Sequence, residues 1–445
     1  MSGVELIDIR ELKQIFRPDL KKTLSAYRAI LRSGKLSTPI IAERKSMFVL
    51  KGAEVLEALK LLSALKAPAY VVDGDEVRVR RISPEPEVLE VNDLLRLHYA
   101  GHRLPQEDFE VEVPREPGQV EYSLEDLGAS WKRDRRLLKV YESTLELLYE
   151  GWPTPLVKLS SYSSGGRAVY AKLECFNPFS NSVKDRIAWS MIVEAMEAGA
   201  LKEVLYEATS TNTGIALAAI ANILGRKARL FIPRTIQKCS DTFLRVLGAE
   251  VVRVPTTLTV EAVNDVDAMA RRDGVTHLNQ FENDANFKAH LKHTARELDE
   301  QLQSIGIIPD FIIGGLGTSG HMSAISLYFK SKYGEKVKLV GVQPAPNEII
   351  PGIRRIESGM KWIHMVEFDE IVDVRRDEAI EGALEVARKE GLLIGLSAGA
   401  VFHAFKNIAA NPGNYVLIFP DSGYKYAEQF ENYFERQAKG SHDER

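Results

Sequence analysis

Four short segments gather residue types that can do chemistry, and each runs into a helical pattern. The first is Cys175-Phe-Asn-Pro-Phe-Ser-Asn-Ser-Val-Lys184-Asp-Arg. A lysine at a helix start meets the positive end of the helix dipole. With partial burial its pKa falls, which makes it a usable nucleophile or base; a surface lysine that merely begins a helix is the alternative. The second is Thr209-Ser-Thr-Asn-Thr-Gly214, where five consecutive hydroxyl or amide side chains meet exposed N–H groups that suit a carboxylate or phosphate. Capping alone needs one such residue. The third, Gly314-Gly-Leu-Gly-Thr-Ser-Gly-His321, lets backbone approach a phosphate while Thr318 and Ser319 donate to it. No Gly-Lys-Ser/Thr follows, so it is not a Walker A loop. The fourth is Gly395-Leu-Ser397-Ala-Gly-Ala, which alone also reads as a small-residue helix start.

The elements around these segments alternate. Strand patterns AVYAKLE, EVLYEA, ARLFIP, EVVRV, DFIIGG, VKLVGVQ and NYVLIFP are separated by helical patterns such as KDRIAWSMIVEAMEAG, TGIALAAIANILG, NFKAHLKHTARELDEQL and EAIEGALEVARKEG. Such alternation predicts an α/β fold with a mostly parallel sheet and helices on both faces. Ligands in such folds sit beyond the carboxyl ends of the strands, where three of these segments begin.

Ahead of this region, residues 1–85 carry 16 Lys+Arg against 11 Asp+Glu. PIIAE and MFVLKG read as strands, EVLEALKLLSALK as a helix, and PAYVVDGDEVRVRRI as two strands with Asp73-Gly74 between them. This is a small α/β module. Residues 86–150, rich in Pro and Glu, read as a linker with short helices at NDLLRLHYAG and DRRLLKVYESTLELLYEG. The third zone is 151–435.

Composition bounds the class. The chain has 445 residues, 45% hydrophobic and 27% charged, and 58 Lys+Arg against 62 Asp+Glu give a net charge of −4. That balance gives no reason to expect nucleic acid as a partner. No apolar run approaches the ~18 residues that span a bilayer. The start, MSGVELIDIRELKQ, lacks a signal pattern, so a cytoplasmic location is expected. Two cysteines, Cys175 and Cys239, are too few for a disulfide framework or a cysteine zinc site, and no metal is expected.

Taken in order, the four segments resemble the pyridoxal-phosphate-dependent cysteine synthase and cystathionine β-synthase family, most of all its O-phosphoserine sulfhydrylases. The likeness runs from Trp152-Pro-Thr-Pro-Leu-Val-Lys-Leu159, similar to N-T-P-L-V-x-L, to Phe419-Pro-Asp-Ser-Gly423. It implies a fold type II enzyme, tryptophan-synthase-β-like, with two α/β subdomains, pyridoxal 5'-phosphate as cofactor, small-molecule substrates and a homodimer. Ser182-Val-Lys-Asp-Arg186 resembles S-V-K-D-R, which makes Lys184 the catalytic, cofactor-bonding lysine. Asn212 takes the place of the asparagine on the ring hydroxyl. Gly317, Thr318, Ser319, Gly320 and His321 take the place of G-T-G-G-T around the phosphate, and Ser397 that of the serine facing the ring nitrogen. Such a serine leaves that nitrogen largely unprotonated, which suits elimination and replacement at Cβ. Thr209, Ser210, Thr211 and Thr213, with Gln280, are implied to hold the substrate carboxylate. The lysine loop is one residue longer than is usual, Thr211 replaces a glycine, and Ser319 and His321 replace a glycine and a threonine.

Where O-acetylserine enzymes resemble G-I-G-A, this chain has Gly352-Ile-Arg354-Arg355. A guanidinium there suits a phosphate leaving group, and the family's phosphoserine-using members carry an arginine here. Solvent, or pairing with Glu357, is the alternative for both arginines. The expected reaction is therefore O-phosphoserine plus sulfide giving cysteine and phosphate, with O-acetylserine sulfhydrylase or cystathionine β-synthase as alternatives. The N-terminal module resembles a ParB/sulfiredoxin-like domain through Leu50-Lys-Gly52-Ala-Glu54 and Pro68-Ala-Tyr-Val-Val-Asp73. The arginine of that motif is missing, so a docking or regulatory role is expected. A DNA-associated protein with a degenerate enzyme domain is the reading from a different class.

Overall fold

Every strand pattern singled out in the C-terminal half forms: Arg167–Leu173, Val204–Ala208, Lys227–Pro233, Glu250–Val254, Phe311–Gly315, Lys338–Pro344 and Gly413–Phe419. The computed structural model describes residues 3–82, 87–102, 104–129 and 139–443. The chain divides into two units, Met1–Leu137 and Leu138–Arg445.

The second unit holds two sheets. The larger has six strands in the order Leu156–Lys158, Arg167–Leu173, Gly413–Phe419, Phe311–Gly315, Lys338–Pro344, Glu370–Val374. The smaller has four, in the order Glu250–Val254, Lys227–Pro233, Val204–Ala208, Thr276–His277. All pairs are parallel except that of Leu156–Lys158 with Arg167–Leu173. Each sheet has its own apolar core. Phe402, Phe405, Tyr415 and Phe419 lie in the first, and Ile187, Met191, Ile220 and Leu230 in the second. One expected helix is interrupted: Asp284–Ala289 passes through a π-helical stretch, His290–Ala295, into Arg296–Gln303.

The first unit carries a five-stranded sheet of Val4–Asp8, Lys66–Val72, Ile40–Glu43, Phe48–Lys51 and Lys13–Gln14, with helices Leu20–Ser33 and Ala53–Leu61. The two strands around Asp73-Gly74 do not pair with each other. Lys66–Val72 pairs with Val4–Asp8 and Ile40–Glu43, and Arg78–Arg81 with Phe109–Glu112 and Glu87–Leu89.

This changes the boundary read from the sequence. Residues 87–129 are part of the first unit and not a linker. Leu89, Leu94, Leu104, Phe109 and Val111 join Ile15, Phe16 and Phe48 in one buried cluster. Short strands with alternating charge hid this. Arg78 and Arg80 stand opposite Glu112 and Glu110 in register. Helix Val91–Tyr99 forms where expected; of the other, Thr144–Glu150 forms, and residues 134–138 lie outside the described residues. No helix among the described residues is long and apolar enough to cross a membrane. Both cysteines are free, and no group of metal-ligating side chains is found among the described residues.

Candidate active site

Lys184 is the first residue of helix Lys184–Glu197, and its backbone N–H donates to Ser182 Oγ at 3.1 Å. The next two residues fix it from behind. Asp185 accepts from the N–H groups of Phe179 and Ser180 and from the Ser180 hydroxyl, which folds the preceding loop onto the helix start. Arg186 is fully buried. It meets Glu174 at 2.7 Å, stacks 4.6 Å from the Trp152 ring and pairs with Glu297, which also binds the buried Lys172 at 2.8 Å. Breaking such a pair leaves an uncompensated buried charge and costs about 3–5 kcal/mol. This cluster therefore holds the lysine loop rigidly.

Contacts from Lys184 run through the other predicted segments and return. A Cβ on Gly317 would lie 4.0 Å from Lys184 Nζ and 2.6 Å from the Gly352 carbonyl oxygen, so the absence of a side chain allows this approach. A Cβ on Gly352, itself at φ 91°, would lie 3.5 Å from Ser397 Oγ. Two residues before Ser397, Gly395 N–H donates to the Asp421 carbonyl at 3.1 Å. Asp421 pairs through its backbone with Ser182, beside Lys184, and accepts from Asn212 Nδ2 at 2.8 Å through its side chain. Thr213, next to Asn212, donates to Gln280 Oε1 at 2.8 Å. The Gln280 carbonyl accepts from Asn286 Nδ2 at 2.8 Å, and the same amide reaches Thr318 Oγ1 at 3.0 Å. A Cβ on Gly320 would collide with Asn286 Oδ1. Two more of the predicted side chains are also occupied: Thr209 donates to the Ser210 carbonyl, and Thr211 bonds the Ser240 hydroxyl at 2.6 Å. Ser210 is the N-cap of helix Thr211–Ile223.

The two arginines part company. Arg354 is buried, donates from Nε to the Gly317 carbonyl at 2.9 Å and from Nη1 to Ser358 Oγ at 2.9 Å, and sits 5.1 Å from the Phe281 ring. Among the described residues no carboxylate lies within ion-pair distance of it. Arg355 faces outward to Asp373 and Glu357.

Burial dominates the electrostatics. It pushes the Lys184 ammonium down to about 8, with Asp421 opposing and Arg354 assisting. It lowers Arg354 to about 10, against the charge of Glu282. It drives His321 to about 3, with Lys184 adding to the effect, so the imidazole is neutral. Several buried polar atoms have no hydrogen-bond partner: Ser319 Oγ, both ring nitrogens of His321, Ser323 Oγ, Asn212 Oδ1 and Asp421 Oδ1. Most buried polar groups are satisfied, so such a cluster at the start of helix Gly320–Tyr333 and beside Asn212 marks places for a polar ligand. Ser319 holds φ 71°, a left-handed conformation that a glycine takes freely and a serine takes at a cost of about 1–2 kcal/mol.

Asp421, Asn286 and Glu207 were not singled out by sequence reasoning. Glu207 is the penultimate residue of strand Val204–Ala208, is fully buried, and accepts the N–H groups of Asn279 and Gln280 at 2.9 and 3.1 Å. Asn286 lies 32 residues from Thr318, Glu207 73 from Gln280 and Asp421 209 from Asn212, and only the Pro-Asp-Ser-Gly motif around Asp421 gave any signal.

Comparison with known proteins agrees with this architecture. Cysteine synthase B of Salmonella typhimurium is 38% identical over 281 residues, a match covering 61% of this chain and 91% of the relative. Cysteine synthase of Staphylococcus aureus (strain N315) is 33% identical over 289 residues, covering 61% and 92%. Among solved structures, O-ureido-L-serine synthase superposes with a TM-score of 0.59 at 28% identity, covering 64% of this chain and 93% of that one. A hydrogen sulfide-producing enzyme from Fusobacterium nucleatum gives 0.59 at 31% identity, covering 64% and 100%. The profile of the family described as "Pyridoxal-phosphate dependent enzyme" matches residues 147–421. With Lys184 at a helix start and unpartnered polar groups around it, the chain belongs to the pyridoxal-phosphate-dependent enzymes, and pyridoxal phosphate is its cofactor.

Proposed function

We propose that this chain is a cysteine synthase that makes L-cysteine and phosphate from O-phospho-L-serine and sulfide by β-replacement. The residues fit the cofactor. Ser319 Oγ and a ring nitrogen of His321, both buried and unpartnered, would hold its phosphate with Thr318 and the backbone of Gly317 and Gly320. Lys184 would bond it, Asn212 would meet its ring hydroxyl, and Ser397 its ring nitrogen. When bound, pyridoxal phosphate supplies the electron sink for chemistry at Cα and Cβ.

The chain's own groups do the rest. Thr209, Ser210, Thr211 and Thr213, with Gln280, would hold the substrate carboxylate, the three threonine hydroxyls exchanging their present partners for it. The Lys184 amine, which burial keeps partly neutral, removes the Cα proton and later returns it. Arg354 pairs with the departing phosphate, so the Cβ–O bond breaks toward a cation, and sulfide forms the new Cβ–S bond. The observation that carries the phosphate reading is Arg354 itself: a buried guanidinium, next to Gly317 and with no carboxylate among the described residues in ion-pair range, is poised for an external anion. Its neighbour Arg355 is already paired.

Steady-state assays with sulfide and O-phosphoserine, O-acetylserine or serine test the reading. A kcat/KM for O-phosphoserine at least tenfold above the other two supports it, and equal or lower efficiency overturns it. Catalysis is assigned to residues 151–435, in a homodimer by family likeness. Residues 1–85 are read as a non-catalytic, ParB/sulfiredoxin-like docking or regulatory module within the larger first unit, because Gly52 is followed by Ala53 and Glu54 with no motif arginine.

A further inference from the structure

We propose that Asp421 is a positioning residue that fixes which end of the Asn212 amide faces the cofactor. Asp421 is 1% exposed and bridges three of the predicted segments. Its backbone pairs with Ser182 and accepts from Gly395, and its Oδ2 accepts from Asn212 Nδ2 at 2.8 Å and from the Tyr426 hydroxyl at 2.5 Å. A Cβ at Gly395 would collide with Asp421 Oδ1, so the glycine that opens the Ser397 segment makes room for this carboxyl group. An amide can present oxygen or nitrogen to a neighbour, and a carboxylate accepts only. Asp421 therefore draws Nδ2 to itself. It leaves the second amide N–H and the unpartnered Oδ1 of Asn212 for the ligand.

The other groups around Asp421 do not compete for this role. Lys425 Nζ stands 3.8 Å away and donates to the Ser180 carbonyl at 2.7 Å. Burial, with Asp421 adding, pushes the Cys175 thiol up to about 11, so it stays uncharged at neutral pH. Burial and Asp421 hold the Tyr426 phenol well above its ordinary range, so it remains a donor. Asp421 also acts on Lys184, whose protonated form its charge favours.

The inference rests on the pyridoxal-phosphate assignment of the site and not on the identity of the amino-acid donor. The test is the visible absorption of the holoenzyme across pH, which needs no substrate, together with kcat and KM. Asp421→Asn keeps the shape of the side chain but can pair with Asn212 in either orientation. The expected result is a shift of the spectral midpoint by about half a pH unit or more. A fall in kcat of about three- to tenfold goes with it, and KM stays within about twofold. Asp421→Ala, which offers no acceptor, should do more of the same, whereas Tyr426→Phe should leave the spectrum near wild type. In an Asn212→Ala background, Asp421→Asn should shift the midpoint by less than in the wild-type background, because the amide route is gone and only the direct charge on Lys184 remains. An unchanged midpoint in Asp421→Asn, or a full-sized effect in the Asn212→Ala background, overturns the inference. If O-phosphoserine proves not to be the substrate, these spectra still decide the role of Asp421.

Discussion

Arg354 donates through Nε to the carbonyl oxygen of Gly317 at 2.9 Å, and Gly317 in turn lies beside Lys184 Nζ. The group proposed to receive the leaving phosphate is thus tied to the first glycine of the cofactor loop and to the surroundings of the base. The positive charge of Arg354 favours the neutral amine of Lys184. A substrate dianion on Arg354 would offset that charge and strengthen the base as the substrate arrives.

Arg354→Ala should cut kcat/KM for O-phosphoserine by about ten- to a hundredfold, because a charge-assisted bond is worth roughly 1.5–3 kcal/mol. Activity with O-acetylserine, which has no dianion, should change by less than about twofold. Arg354→Lys should recover only part of the loss, since a point charge lacks the two-pronged donor. Arg355→Ala is the control and should leave both donors unaffected, because its partners are Asp373, Glu357 and the Pro344 carbonyl. An equal fall for both donors in Arg354→Ala would mean that the arginine shapes the loop and does not bind phosphate.

The lysine assignment has a pH signature. Covalent capture of added pyridoxal phosphate by cofactor-free protein needs the neutral amine. Its rate should rise about tenfold per pH unit below about 8 and level off above it. Arg354→Ala removes a neighbouring positive charge, so it should move the midpoint upward; Asp421→Asn should move it downward. Stopped-flow absorbance across pH measures both. In Lys184→Ala, borohydride should trap no cofactor on the protein and turnover should vanish. Retained activity in that variant without added amines would remove Lys184 from its role.

The loops carrying the site were legible because chemistry at strand ends leaves local marks: a lysine at a helix start, hydroxyl runs and glycines. What holds those loops was not. Glu207 lies 73 residues from Gln280, and Asn212 lies 209 residues from Asp421. A buried carboxyl group at a strand end reads like any other polar residue until its partners are in place. Arg354 and Arg355 are adjacent in sequence and chemically identical, and only packing against Phe281 and Ser358 separates the inward one from the outward one. The N-terminal boundary failed for a related reason. The strand Phe109–Glu112 has a charged residue at every second position, which weakens its apolar signal, although its glutamates complement Arg78 and Arg80.

Glu207 should make stability depend on pH. Burial pushes its carboxyl up to about 8 from the usual range near 4.5, against the N–H groups of Gln280 and Asn279. Between those values the folded chain binds a proton that the unfolded chain has lost. Stability should then fall as pH rises through this window and stay flat above it. Glu207→Gln keeps a carbonyl acceptor and does not titrate. Melting temperatures between about pH 5 and about pH 9 should show wild type losing ground to the variant as pH rises, and parallel curves would mean that Glu207 does not carry the proton.

The last prediction concerns where the chain can be cut. No residue predicted to bind cofactor or substrate lies before Lys184, the residues that hold its loop begin at Trp152, and the boundary between units falls between Leu137 and Leu138. A protein of residues 138–445 should fold, take up pyridoxal phosphate with the spectrum of the full chain, and retain substantial cysteine synthesis. A cut after residue 85 should behave differently. It would leave residues 87–129 attached but stripped of the sheet they pack on, exposing Leu89, Leu94, Leu104, Phe109 and Val111, which are buried with Ile15, Phe16 and Phe48. Each large apolar side chain so exposed forfeits about 1.5–3 kcal/mol of burial, and together they form a sticky surface. The 86–445 protein should therefore aggregate or bind a hydrophobic dye, while 138–445 does neither. Size-exclusion chromatography and cofactor absorbance on the two proteins decide this. If 138–445 is soluble and cofactor-loaded yet inactive with every donor, the first unit contributes to the reaction and its reading as a non-catalytic module is wrong.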